Sequence, residues 1–159
     1  SSDTSLFLLQ RIEYGCEGRS YESRKLNEDR LNNSGILRMS PLTNAILTSL
    51  DYGKIKDKRK ENFEIASRLF HKINAINPRM HYDENCIPMV YPLFIEDEDL
   101  LPYLHKKKIF QGRWWEYLLE EISTNMFEYW LTKNLIPITI DQRYGIAELE
   151  YIKKLINEK

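Results

Sequence analysis

The chain has 159 residues, 42% hydrophobic and 12% aromatic, which suffices for one ordinary domain with its own core and falls short of two full ones. Charged residues make up 30% and the formal net charge is −1, so no overall basic excess exists to hold a nucleic-acid backbone, and no acidic or low-complexity tail of the disordered kind is present. No apolar run approaches the roughly 20 residues of a membrane helix, and the Ser1–Ser5 start lacks the basic region of a signal peptide.

Two cysteines, Cys16 and Cys86, make no disulfide framework and fit a reducing cytosol. The expectation is a cytoplasmic protein with neither nucleic acid nor membrane as partner. The chain starts at Ser1 rather than Met, which reads as the edge of a cut in a longer gene product.

The first predicted element is a short amphipathic stretch through Leu6, Leu9 and Ile12, ended by Gly15 and Gly18. Residues 19–34 are polar and read as a solvated helix or mobile connector. Ser40-Pro41 starts a helix, since proline is tolerated at the first helical position. Asp51 caps the next one. From Tyr52 to about Ile76, residues Phe63, Ala66, Phe70 and Ile73 form one apolar stripe at helical spacing, and Asn77-Pro78 ends it. Lys54, Lys56, Lys58, Arg59 and Lys60 belong to its solvent side, a reading preferred over a phosphate or nucleic-acid site because Asp57 and Glu61 interrupt the run.

The second half reads as strands alternating with helices. Met89–Ile95 is a strand, at an edge or bulged because Pro92 has no N–H to give. The acidic run Glu96–Asp99 suits a helix start, with Asp99 as cap, and lacks the spacing of a calcium loop. Lys106, Lys107 and Lys108 suit the C-terminal end of that helix. Ile109-Phe110-Gln111 reads as a second strand and Gly112–Trp115 as a loop. Thr124–Asn134 is a helix, Leu135–Ile140 a third strand, Asp141–Gly145 a turn, and Ile146, Leu149, Ile152 and Ile156 mark a final helix. The predicted fold is α+β: a small, mostly antiparallel sheet of about three strands with helices packed on one face, preceded by a long helix. Residues 1–39 form a helical connector and 40–159 the domain proper.

Three scattered histidines, His71, His81 and His105, offer no zinc spacing, and no metal site is expected. No nucleophile elbow, Walker loop or dinucleotide-binding glycine motif is present.

The segments Ile87–Leu93, Lys107–Phe110, Trp114-Trp115 and Phe127–Tyr144 resemble the C-terminal domain of the DegT/DnrJ/StrS-type aminotransferases, most specifically in Asn134-Leu135-Ile136-Pro137-Ile138-Thr139-Ile140-Asp141-Gln142-Arg143-Tyr144-Gly145. Lys58–Phe63 is similar to the start of that family's long inter-domain helix. The resemblance covers roughly residues 40–159. It implies the small domain of a fold-type-I pyridoxal-phosphate (PLP) enzyme, one acting on a keto sugar or related small substrate in polysaccharide biosynthesis. It also implies that PLP sits on a preceding large domain, that the full-length protein is homodimeric, and that this segment alone is inactive. No segment here resembles the cofactor-lysine motif.

Small domains of this kind close over a small-molecule substrate, so the resemblance makes Arg143, Arg113, Trp114, Trp115 and Tyr91 the substrate-binding candidates. Each has a plainer alternative: Arg143 a turn arginine paired with Asp141, the tryptophans core and rim packing. One departure stands out. Sugar-acting members carry a histidine-containing segment after the second small-domain strand, whereas Gln111–Glu116 has none, which suggests a divergent branch. The alternative function is a non-catalytic α+β interaction domain presenting Trp114, Trp115 and Trp130.

Overall fold

The computed structural model describes residues 2–15 and 17–159, and divides the chain into two compact units, Ser1–Leu50 and Asp51–Lys159. The division falls after Leu50, eleven residues beyond the 39/40 boundary expected from the sequence (50 − 39), and it puts the Ser40-Pro41 helix in the first unit.

The first unit is helical. Helix α1 (Ser2–Tyr14) and helix α2 (Arg19–Asn32) lie against one another. Gly15 ends α1 at φ 86°, the left-handed conformation that glycine adopts without a Cβ penalty, and its N–H bonds the Arg11 carbonyl. The buried Ser20 hydroxyl donates to the Gly15 carbonyl at 2.6 Å and ties the turn to α2. Thus the polar 19–34 segment is helical, and with almost no apolar face it is exposed along nearly its whole length. Helix α3 (Pro41–Thr48) starts as expected, the Ser40 hydroxyl accepting from Thr43 N–H at 3.1 Å.

The second unit holds the core. Helix α4 (Tyr52–Phe70) is capped by Asp51, whose carboxylate accepts from Lys54 N–H at 3.1 Å. It buries Phe63, Ile65, Ala66 and Phe70. Strand β1 (Val90–Phe94) leads to helix α5 (Leu100–Lys106). A four-residue helix α6 (Leu118–Glu121) and helix α7 (Phe127–Asn134) follow, then strand β2 (Leu135–Thr139) and helix α8 (Ile146–Asn157). The strands pair antiparallel, Val90 opposite Thr139 and Phe94 opposite Leu135. The class is α+β, as the sequence predicts. Tyr91, Leu93, Ile136 and Ile138 face α4, α5 and α8 in one apolar cluster with Phe63, Phe70, Leu104, Leu149, Ile152 and Leu155. On the other face Phe94, also buried, packs beneath Trp130 of α7 at 4.3 Å between ring centres, so helices reach both sides of the sheet.

Both strands carry a proline, and the register explains why. Pro92 lies opposite Pro137. The Pro92 carbonyl and both backbone groups of Phe94 bond away from β2, to Asn74 and Ala75. Along an antiparallel pair, residues alternate between bonding across and pointing outward. The prolines occupy an outward-pointing pair, where a missing N–H leaves the ladder intact.

Two expectations are corrected. The long helix stops at Phe70, not near Ile76, because Asn74 is needed elsewhere. Its amide NH2 donates to the Pro92 carbonyl (2.9 Å) and the Tyr91 hydroxyl (3.1 Å), and its carbonyl accepts from the N–H of Phe94 (2.9 Å) and Ile76 (3.2 Å). With Ala75 N–H on the Phe94 carbonyl, this segment takes the place of a strand along the free edge of β1.

Likewise, Ile109–Gln111 pairs with neither strand. Helix α5 ends in a Schellman turn: Lys108 N–H bonds the His105 carbonyl, Ile109 N–H bonds the Leu104 carbonyl, and Lys108 sits at φ 64°. The chain leaves that turn with only the Gln111 side chain reaching β2, where its carbonyl accepts from Thr139 N–H (3.3 Å) and hydroxyl (3.2 Å). One side chain replaces the strand.

Candidate functional site

The turn after β2 carries the most specific part of the resemblance. Asn62 of α4, fully buried, donates from its amide to the carbonyls of Ile140 (3.2 Å), Asp141 (3.0 Å) and Tyr144 (3.0 Å). Asp141 accepts from Arg143 N–H at 2.9 Å, and the Arg143 guanidinium grips the same carboxylate through Nε (3.0 Å) and Nη2 (2.6 Å). The hydrogen bonds from Arg143 hold the Asp141 carboxyl below its ordinary range, and the carboxylate in turn raises the Arg143 guanidinium. Arg143 is thus engaged with Asp141, its side chain otherwise open to solvent and lying over the Tyr144 ring.

The other candidates sit apart from it. Arg113 donates to the carbonyls of Thr132 (3.1 Å) and Lys133, the last turn of α7, near the start of β2 rather than its end. Trp114 and Trp115 meet edge to face at 5.5 Å, with Trp115 exposed and held at φ 55°. Tyr91 belongs to the core: it is 1% exposed, its ring tilted against those of Phe63 and Phe70, with its hydroxyl accepting from Asn74. Burial pushes its phenol up in pKa, with the Asn74 hydrogen bond opposing. The five candidates therefore converge on no common cleft among those described below.

The clefts lie elsewhere. One of about 550 Å³ runs between the end of α4 and the 74–79 segment, lined by Ser67, Arg68, His71, Asn77, Arg79 and Tyr91 among others. A second, about 540 Å³, is mostly apolar, with Phe63, Met80, Tyr82, Cys86, Pro88 and Val90. A third, about 400 Å³, holds Lys133, Glu98, Tyr129 and Trp130. In it Lys133 pairs with Glu98 at 2.6 Å, which raises the ammonium pKa, the opposite of what a nucleophilic lysine needs. The linings of the other two clefts contain no lysine, so neither offers an amine to hold PLP covalently.

The 550 Å³ cleft escaped the sequence reading. Arg68 and His71 were hidden in a helical pattern whose apolar stripe dominates, and Arg79 lies beyond a turn that only tertiary contacts fold back. Among the described residues no group of three or more His, Cys, Asp or Glu side chains could hold a metal ion, and no helix is long and apolar enough to cross a membrane. No family model, curated protein or solved structure matches the chain.

Proposed function

We propose that this chain is the substrate-side small domain of a PLP-dependent aminotransferase-like protein of the DegT/DnrJ/StrS type, inactive by itself. It works in the cytoplasm on a keto sugar or related small molecule of polysaccharide biosynthesis. In this reading PLP and its lysine belong to a preceding large domain, the whole protein is a homodimer, and neither nucleic acid nor membrane is a partner. One observation carries the reading. The two stretches that resemble the family, Lys58–Phe63 and Asn134–Gly145, are far apart in sequence yet are joined by the three hydrogen bonds of Asn62. A long helix that reads out the turn after the last strand is a reason for both stretches to keep their residues together. The order of long helix, strand, helix, extended segment, two helices, strand and helix also supports it.

The exposed aromatic surface favours a second reading, a non-catalytic interaction domain. Phe110, Trp115, Tyr117 and Phe127 are exposed, and Trp130, packed on Phe94 and Phe127, is partly so.

The reading frame upstream of Ser1 and the full-length product separate the two. The aminotransferase reading expects a further large domain and a visible absorption band with PLP. Borohydride should then fix the cofactor covalently to a lysine of that domain. A full-length product that takes up no PLP and yields no lysine adduct would leave the interaction domain standing.

A further inference from the structure

The cleft at the end of α4 gathers two arginines and a histidine, with Arg79 already paired to an acid outside the lining. Its lining includes Arg68, His71 and Arg79 and no aspartate or glutamate. Glu64 pairs with Arg79 at 3.1 Å, and among the described residues no carboxylate is paired with Arg68. His71 donates from Nδ1 to the Arg68 carbonyl at 2.9 Å, since a carbonyl can only accept, which ties its ring to the end of α4. Ser67 is 4% exposed, lines the same cleft, and has a hydroxyl with no hydrogen-bond partner. A buried hydroxyl without a partner costs about 1–3 kcal/mol and calls for an explanation.

A helix C-terminus attracts cations in any case. That accounts for Arg68. Glu64 holds Arg79, which arrives from the 3-10 turn Pro78–His81, but neither effect accounts for the orphaned Ser67 hydroxyl. Asn74 contributes nothing here, because its amide is spent on β1.

We infer that this cleft is a binding site for the phosphate group of a small phosphorylated molecule, with the Arg68 and Arg79 forks and the Ser67 hydroxyl as donors. Arginine forks match the oxygens of a tetrahedral dianion, and three donors from two elements set its orientation. The site is independent of the aminotransferase reading.

The test is an NMR titration of the 159-residue chain with inorganic phosphate, ionic strength held constant with chloride. Saturable shifts at Ser67, Arg68, His71 and Arg79 are expected. Arg68→Ala should weaken phosphate about tenfold, the loss of one charge-assisted hydrogen-bonding group. Ser67→Ala should weaken it severalfold without lowering Tm, because the hydroxyl has no partner to lose. Lys54→Ala, in the first turn of α4 and so at its other end, should bind as the parent does. Shifts that chloride reproduces, or an Arg68→Ala protein with parental affinity, overturn the site. Malonate saturating at lower concentration than phosphate overturns the phosphate assignment in favour of a carboxylate.

Discussion

Removing the Asn74 side chain should unfold the second unit far more readily than its half-buried position suggests. Asn74→Ala deletes four hydrogen bonds in one step. The Phe94 N–H and Pro92 carbonyl lie on the free edge of β1, and Phe94 is wholly buried, so at least the first is left without a partner or water. An orphaned buried donor costs about 1–3 kcal/mol, and each other lost bond about 0.5–1.5 kcal/mol. Partial relaxation at the half-exposed end brings the sum to about 3 kcal/mol. For a unit of roughly 100 residues, 1 kcal/mol moves Tm by about 4 °C, so a fall of about 12 °C is expected. Tryptophan fluorescence is the right readout, because Trp114, Trp115 and Trp130 all lie in the second unit. Asn77→Ala is the control: its carbonyl also bonds a backbone N–H, that of Arg79, but at an exposed turn, so it should cost under about 1 kcal/mol. A fall of less than about 3 °C for Asn74→Ala would refute the claim that this side chain stands in for a strand.

Lys108 holds a left-handed conformation at the Schellman position that glycine prefers, so Lys108→Gly should stabilise by about 0.5–1 kcal/mol, read as a higher urea midpoint. Asp141 has a depressed pKa in the fold, so its contribution is present above about pH 4 and is lost as the pH falls through the lower folded value. Asp141→Asn should therefore flatten the acid limb of the stability profile, while an unchanged limb would mean that the Arg143 pair is worth nothing in solution. Tyr91 has the opposite sign: its phenol is raised by burial, so stability should decline as the pH rises past about 10, where the unfolded phenol ionises, and Tyr91→Phe should remove that part of the decline. Asn62→Asp sets a carboxylate against three carbonyls in a dry site and should cost more than about 3 kcal/mol by chemical denaturation, against which a near-neutral result would argue that the turn is held by other contacts.

Local chemistry in the sequence was enough for the α+β class, the caps at Ser40 and Asp51, the last helix and the strands around Val90–Phe94 and Leu135–Thr139, because periodicity, capping and proline act within a few residues. The pairing of Arg143 with Asp141 was legible for the same reason, two residues apart on one turn. Tertiary structure alone decided that Asn74 and Gln111 would complete the sheet edges with side chains, ending a helix early and dissolving an expected strand. Whether an extended segment becomes a strand depends on which backbone groups a distant element leaves unpaired, and no window of sequence contains that information. The same holds for the basic cleft: Ser67 and Arg68 are ordinary helix residues until the chain beyond Phe70 folds back and brings Arg79 to face them.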